Sequence, residues 1–75
     1  MRVEDVVAKA FNLDTADVTD ASSKETIAEW DSMGHLSLIT SLEERYNISL
    51  AIADAMEMTT VAKVKAVLKQ YGVSQ

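Results

Sequence analysis

A chain of 75 residues without a cysteine has no disulfide staple, no thiolate metal site and too little bulk for a deep substrate pocket. One thin-cored domain over residues 1–75, stable by roughly 3–5 kcal/mol, is what such a length supports. Twelve acids against seven bases give a net charge of -5, which opposes nucleic-acid binding and favours basic protein surfaces as partners.

The acids are concentrated in the middle, where residues 14–57 hold ten of them against only Lys24 and Arg45. No apolar run approaches a membrane-spanning length, so a soluble cytoplasmic monomer is the expectation. The chain also lacks proline, internal repeats and low-complexity tracts, which leaves periodicity and capping to locate its segments.

Val3, Val6, Val7, Ala10 and Phe11 recur at three- and four-residue spacing and predict a first helix that stops near Asn12. Residues 13–30 are rich in Asp, Ser and Thr, and Leu13, Val18 and Ile27 would peg this long loop to the core. A second helix is predicted from Ser32 to Tyr46, with Leu36, Ile39, Leu42 and Tyr46 lining one apolar face and Ser37, Thr40, Ser41 and Glu44 opposite. Asn47 and Ser49 break that rhythm, and "LAIADAMEM" has room only for a short third helix, the least secure of the four. Thr59 or Thr60 would cap a last helix whose stripe is Val61, Val64, Val67, Leu68 and Tyr71, with Gly72 at its stop. The fold class is therefore all-α, a small four-helix bundle with a long first loop.

The stretch "EWDSMGH" holds the chemistry. Asp31 is a good N-cap, which frees the next residue, Ser32, to project its hydroxyl at the positive end of the second helix, where an attached anion is favoured. Gly34 costs the helix about 1 kcal/mol relative to alanine and removes bulk beside that hydroxyl. His35, the sole histidine, is open to a catalytic or pH-sensing role, but reads more simply as packed under Trp30 at the mouth of the bundle, with Trp30 anchoring the loop.

With "DSM" opening the second helix, "LEERYNISL" closing it and "TTV" opening the last, all without insertion, the sequence resembles the acyl carrier protein family over nearly its full length. The resemblance implies that Ser32 receives 4'-phosphopantetheine from coenzyme A through a separate phosphopantetheinyl transferase, with Asp31, Met33, Gly34 and His35 around the attachment point. A carrier of this kind is no enzyme; it holds acyl intermediates as thioesters, and the arm supplies the thiol that the chain lacks. Partner enzymes with basic docking surfaces would read Asp31, Leu36, Glu43, Glu44, Ile52 and Met56. A carried chain would slip between the second and third helices past Ile39, Leu42, Leu50, Ala55 and Met58.

Family members often place acids two and five residues after the serine, where this chain has Gly34 and Ser37. That departure and "WDSMGH" resemble the specialised stand-alone carriers of secondary or surface-polymer pathways, with a partner set of their own. Two other readings of the residues remain at this point. A Ser32–His35–Asp hydrolytic triad lacks an evident oxyanion hole or nucleophile elbow. An unmodified acidic helical adaptor explains the charge equally well but leaves the Asp-Ser placement as an accident. The aspartates of "DTADVTD" lack the alternation and central glycine of a calcium loop.

Overall fold

A computed structural model describes residues 2–73. Its elements are α1 (Val3–Phe11), a 3-10 turn (Thr15–Asp17), α2 (Ser32–Tyr46), α3 (Ile52–Glu57) and α4 (Val61–Gln70). The architecture is an all-α bundle of four helices, as the periodicity predicts; the 3-10 turn is an addition. No helix among the described residues is long and apolar enough to cross a membrane.

α1 is the hub. Val3, Val6, Val7 and Phe11 are buried, Ala8 joins them, and the helix packs against both α2 and α4. From α4 come Val61, Val64, Val67 and Leu68, while Tyr71 lies only partly covered beyond the end of that helix. Val18 and Ile27 fill the core as loop pegs and Leu13 packs at its margin.

The loop before α2 is fastened by backbone as well as by pegs. The first N–H groups of a helix have no partner within it; here Val61 and Ala62 at the start of α4 donate theirs to the carbonyls of Ser22 and Asp20, at 2.9 and 3.1 Å. Thr60 caps the same helix by accepting the Lys63 N–H on its hydroxyl, so of the two threonines Thr60 is the cap.

Three helices end alike. Asn12 (φ 56°), Asn47 (φ 54°) and Gly72 (φ 79°) take the left-handed conformation, and the next residue's N–H reaches back to a helix carbonyl, from Leu13 to Ala8, Ile48 to Glu43 and Val73 to Leu68. Leu13, Ile48 and Val73 are all apolar and lie against the core, which is the hydrophobic contact that accompanies this closure.

The predicted face of α2 needs correction. Leu36 is 67% exposed, whereas Leu38 and Leu42 are the fully buried residues, with Ile39 and Tyr46 beside them. Leucine and isoleucine occur on two sides of this helix, so periodicity alone admits two solutions. Contact with α1 selects the 38/42/46 side, and Leu36 falls with Met33 on the outer face, three residues apart.

Among the described residues Glu4 is the one buried charged side chain, and Lys65 explains it. The Lys65 ammonium lies 2.7 Å from Glu4 and 2.6 Å from Asp20, joining α1, the loop and α4. This hydrogen bond from Lys65 holds the Glu4 carboxyl below its ordinary value, against the opposing effect of burial, and bonds to Asp20 and Glu4 raise Lys65 above its own. A lowered carboxyl stabilises the fold above its unfolded pKa and loses that contribution as pH falls through the folded one; a raised ammonium loses its contribution only as pH rises through its folded value. Glu4→Gln should therefore cost about 1–2 kcal/mol at neutral pH, and the difference from the parent chain should close in acid. Thermal unfolding of both proteins across pH checks this; a gap that persists undiminished in acid would refute the ion-pair account.

Candidate functional site

The rim at the start of α2 is built by the last residues of the loop. Trp30 is 1% exposed and packs against Phe11 with ring centroids 5.3 Å apart, so the chain enters the helix from a fixed point. Asp31 follows as N-cap: its carboxylate accepts the Gly34 N–H at 2.8 Å and its carbonyl accepts the His35 N–H at 2.8 Å. With capping done by its neighbour, Ser32 is exposed, and its hydroxyl makes no hydrogen bond among the described residues. The Ser32 and Met33 N–H groups are likewise unbonded among these residues, at the end of the helix that attracts anions.

Gly34 has a different duty from the one its sequence position suggests. A Cβ there would collide with the backbone carbonyl oxygen of Glu29 and would lie 3.1 Å from Phe11 Cε1. The room it makes is taken by the incoming loop, which passes directly against the first turn of α2, so the glycine serves that close approach rather than a vacancy beside the serine.

His35 is half-buried and both of its ring nitrogens are engaged. The Trp30 indole N–H donates to Nδ1 at 3.0 Å, and Nε2 lies 2.7 Å from the Ala55 carbonyl of α3. A nitrogen that accepts from an indole carries no proton of its own, so Nε2 is the one that donates. The imidazole therefore has no nitrogen left to take a proton from Ser32, which removes the structural basis for the hydrolytic triad. Packing near Trp30 is as the sequence suggests; the reach to α3 is not.

The remaining site residues divide by environment. Ile52 and Met56, 80% and 71% exposed, share one face of α3, and Met33 and Leu36 are the exposed apolar residues of α2. Glu44 is exposed, but Glu43 is half-buried and accepts the Leu50 N–H at 2.8 Å, which ties down the chain between α2 and α3. Of the residues expected around a carried chain, Leu42 and Met58 are fully buried and Ile39, Leu50 and Ala55 partly so. A shallow hollow lies instead on the outer face of α2, formed by Met33, Leu36, Ser37, Thr40 and Ser41.

Tyr71 is a residue whose role periodicity misses. Its hydroxyl donates to Asp54 at 2.6 Å and accepts the Ala51 N–H at 3.0 Å, pinning the start of α3 from beyond the end of α4. Nothing in a helical stripe marks such a contact, since the partners are seventeen and twenty residues away.

A helical bundle that displays one unbonded serine hydroxyl on an anion-favouring helix start has the form of a carrier domain whose working group is added afterwards. The family comparison agrees: residues 2–68 match the model of the phosphopantetheine attachment site, and the chain belongs to that family, as a carrier protein of the acyl carrier type. No match was found among curated proteins. Its prosthetic group is 4'-phosphopantetheine. The residues at the rim fit such a group: an accessible oxygen for the ester, two unbonded N–H groups for the phosphate, and a capping carboxylate held on a backbone N–H. Among the described residues no cluster of three or more potential metal ligands occurs.

Proposed function

We propose that Ser32 is the residue that carries the phosphopantetheine arm and that the chain holds acyl or related intermediates as thioesters and presents them to partner enzymes. The observation that carries this reading is the exposed Ser32 hydroxyl, released from capping by Asp31. When bound, the arm supplies the thiol that a cysteine-free chain lacks. In attachment the Ser32 oxygen forms a bond to the pantetheine-side phosphorus of coenzyme A while the P–O bond of that diphosphate breaks and adenosine 3',5'-bisphosphate leaves; with both His35 nitrogens occupied, the base that removes the serine proton belongs to the transferase. The Ser32 and Met33 N–H groups and the helix dipole then favour the phosphodiester at this rim.

The setting consistent with this reading is a cytoplasmic monomer that works in specialised rather than central acyl metabolism. The first turn of α2 contains no acid beyond its cap, so partners read this end through Met33 and Leu36 and find acids at Asp31, Glu44 and Glu57. Carriage of an acyl chain beside Leu42 and Met58 requires the bundle to loosen, since both are covered on all sides.

The test is incubation with coenzyme A, Mg²⁺ and a broad-specificity transferase, followed by mass spectrometry: the chain gains one arm. An unchanged mass with competent transferases overturns the reading in favour of an unmodified acidic adaptor. A second expectation concerns docking. Leu36→Ala should lower kcat/KM for loading by about tenfold, as loss of an exposed apolar anchor does, while leaving the melting temperature nearly unchanged because the side chain is 67% exposed. Loading kinetics indistinguishable from the parent's would remove Leu36 from the docking surface.

A further inference from the structure

α3 is a helix of six residues with no buried side chain, so apolar packing of its own side chains does little to hold it. Its ends are anchored by neighbours, Leu50 partly covered before it and Met58 fully buried after it. Between them, two polar side chains from other parts of the fold clasp it. Tyr71 takes the first turn through Asp54 and the Ala51 N–H, and His35 takes the last turn through the Ala55 carbonyl. That carbonyl lies near the helix end and also accepts the Met58 N–H at 3.3 Å, so His35 is its second donor.

The His35 contact is the informative one because its other nitrogen reaches Trp30, two residues before Ser32. We infer that His35 is a positioning residue: in its neutral, Nε2-protonated form it latches α3 to the Trp30 segment, so the placement of α3 and of the serine rim is set by one imidazole. The inference rests on hydrogen-bond geometry and stands whether or not Ser32 proves to be the attachment point.

The latch is directional. Protonating Nδ1 would bring an N–H to face the Trp30 indole N–H, two donors 3.0 Å apart, while the bond from Nε2 to Ala55 would survive. Trp30 is locked in the core against Phe11 and cannot turn away freely. The ring must therefore retreat from Trp30, and the helix tied to its other side moves with it. The charged groups on the adjoining elements are Glu29 in the loop, Asp31 at the α2 cap, and Asp54 and Glu57 on α3. Asp31 and Asp54 are already engaged, with the Gly34 N–H and the Tyr71 hydroxyl.

The test uses the unmodified full chain and NMR. Long-range nitrogen–proton spectra of His35 at pH above its titration should give the Nε2–H tautomer, with Nδ1 unprotonated. On acidification, the Trp30 indole N–H and the α3 amides should shift together with the imidazole's own midpoint. His35→Phe should raise amide exchange in α3 by about fivefold to tenfold, the equivalent of one lost hydrogen bond. His35→Gln, whose amide can both accept from the indole and donate to the carbonyl, should restore most of that protection and abolish the pH response. An Nδ1–H tautomer in the parent chain, or α3 shifts that ignore the imidazole titration, would overturn the latch even if the phenylalanine variant failed to fold.

Discussion

Ser32→Ala is expected to abolish loading completely while leaving the fold intact. The two halves of that statement have separate causes. Loading requires an oxygen nucleophile at the rim, and no other residue supplies one in the same place: Ser37, the next serine along, lies more than a full helical turn further on. The fold, in contrast, makes no use of the Ser32 hydroxyl, which is exposed, unbonded among the described residues and not the cap. Alanine is also the better helix former, so stability should stay within about 0.5 kcal/mol of the parent or rise slightly. Mass spectrometry after incubation with coenzyme A and transferase, alongside a melting curve, reads both halves. A variant that still gains an arm would move the attachment point elsewhere. Asp31→Ala makes the opposite trade: the oxygen remains, but loss of the cap to the Gly34 N–H should cost about 1 kcal/mol.

Gly34→Ala should destabilise the protein although helix propensity predicts the reverse. In an open helix the substitution gains about 1 kcal/mol. Here the new methyl group would run into the Glu29 carbonyl oxygen and press on Phe11, and neither can give way cheaply. The carbonyl is backbone, and Phe11 is buried and packed on Trp30. Overpacking of this kind typically costs about 1–3 kcal/mol and can exceed that where backbone must move. For a domain of this size, a net loss of about 2 kcal/mol lowers the melting temperature by about 10 °C. The displacement would fall on the loop that delivers Trp30 and Asp31, so the Trp30 indole signal should move as well. A melting temperature equal to or above the parent's would show that the loop does not approach α2 this closely in solution.

Much of the bundle is legible in the sequence. The stripes of α1 and α4 each point one way, because the residues between them are polar or small, and burial follows periodicity there. Asp31 as cap, Ser32 as the first helical residue and the stops at Asn12 and Gly72 were readable because capping and left-handed closure depend on a few neighbouring residues. The structure adds that these stops share one rule, a left-handed residue followed by an apolar one, at Asn12-Leu13, Asn47-Ile48 and Gly72-Val73.

α2 shows where local reading stops. With apolar residues on two sides, its sequence does not say which side meets α1: Leu36 shares a predicted apolar face with Ile39 and Leu42 yet is exposed, and Leu38 fills the core. Gly34, His35, Glu43 and Tyr71 are further cases, each answering to a partner that local periodicity does not identify: the Glu29 carbonyl, Ala55, the Leu50 amide and Asp54. By itself the sequence determined the helices, the cap at Asp31 and the serine at the positive tip of α2, since these follow from interactions among near neighbours along the chain. Only the tertiary structure decided which face of α2 is dry, what fills the space at Gly34 and how α3 is held, because those depend on contacts between segments that meet only when the bundle closes.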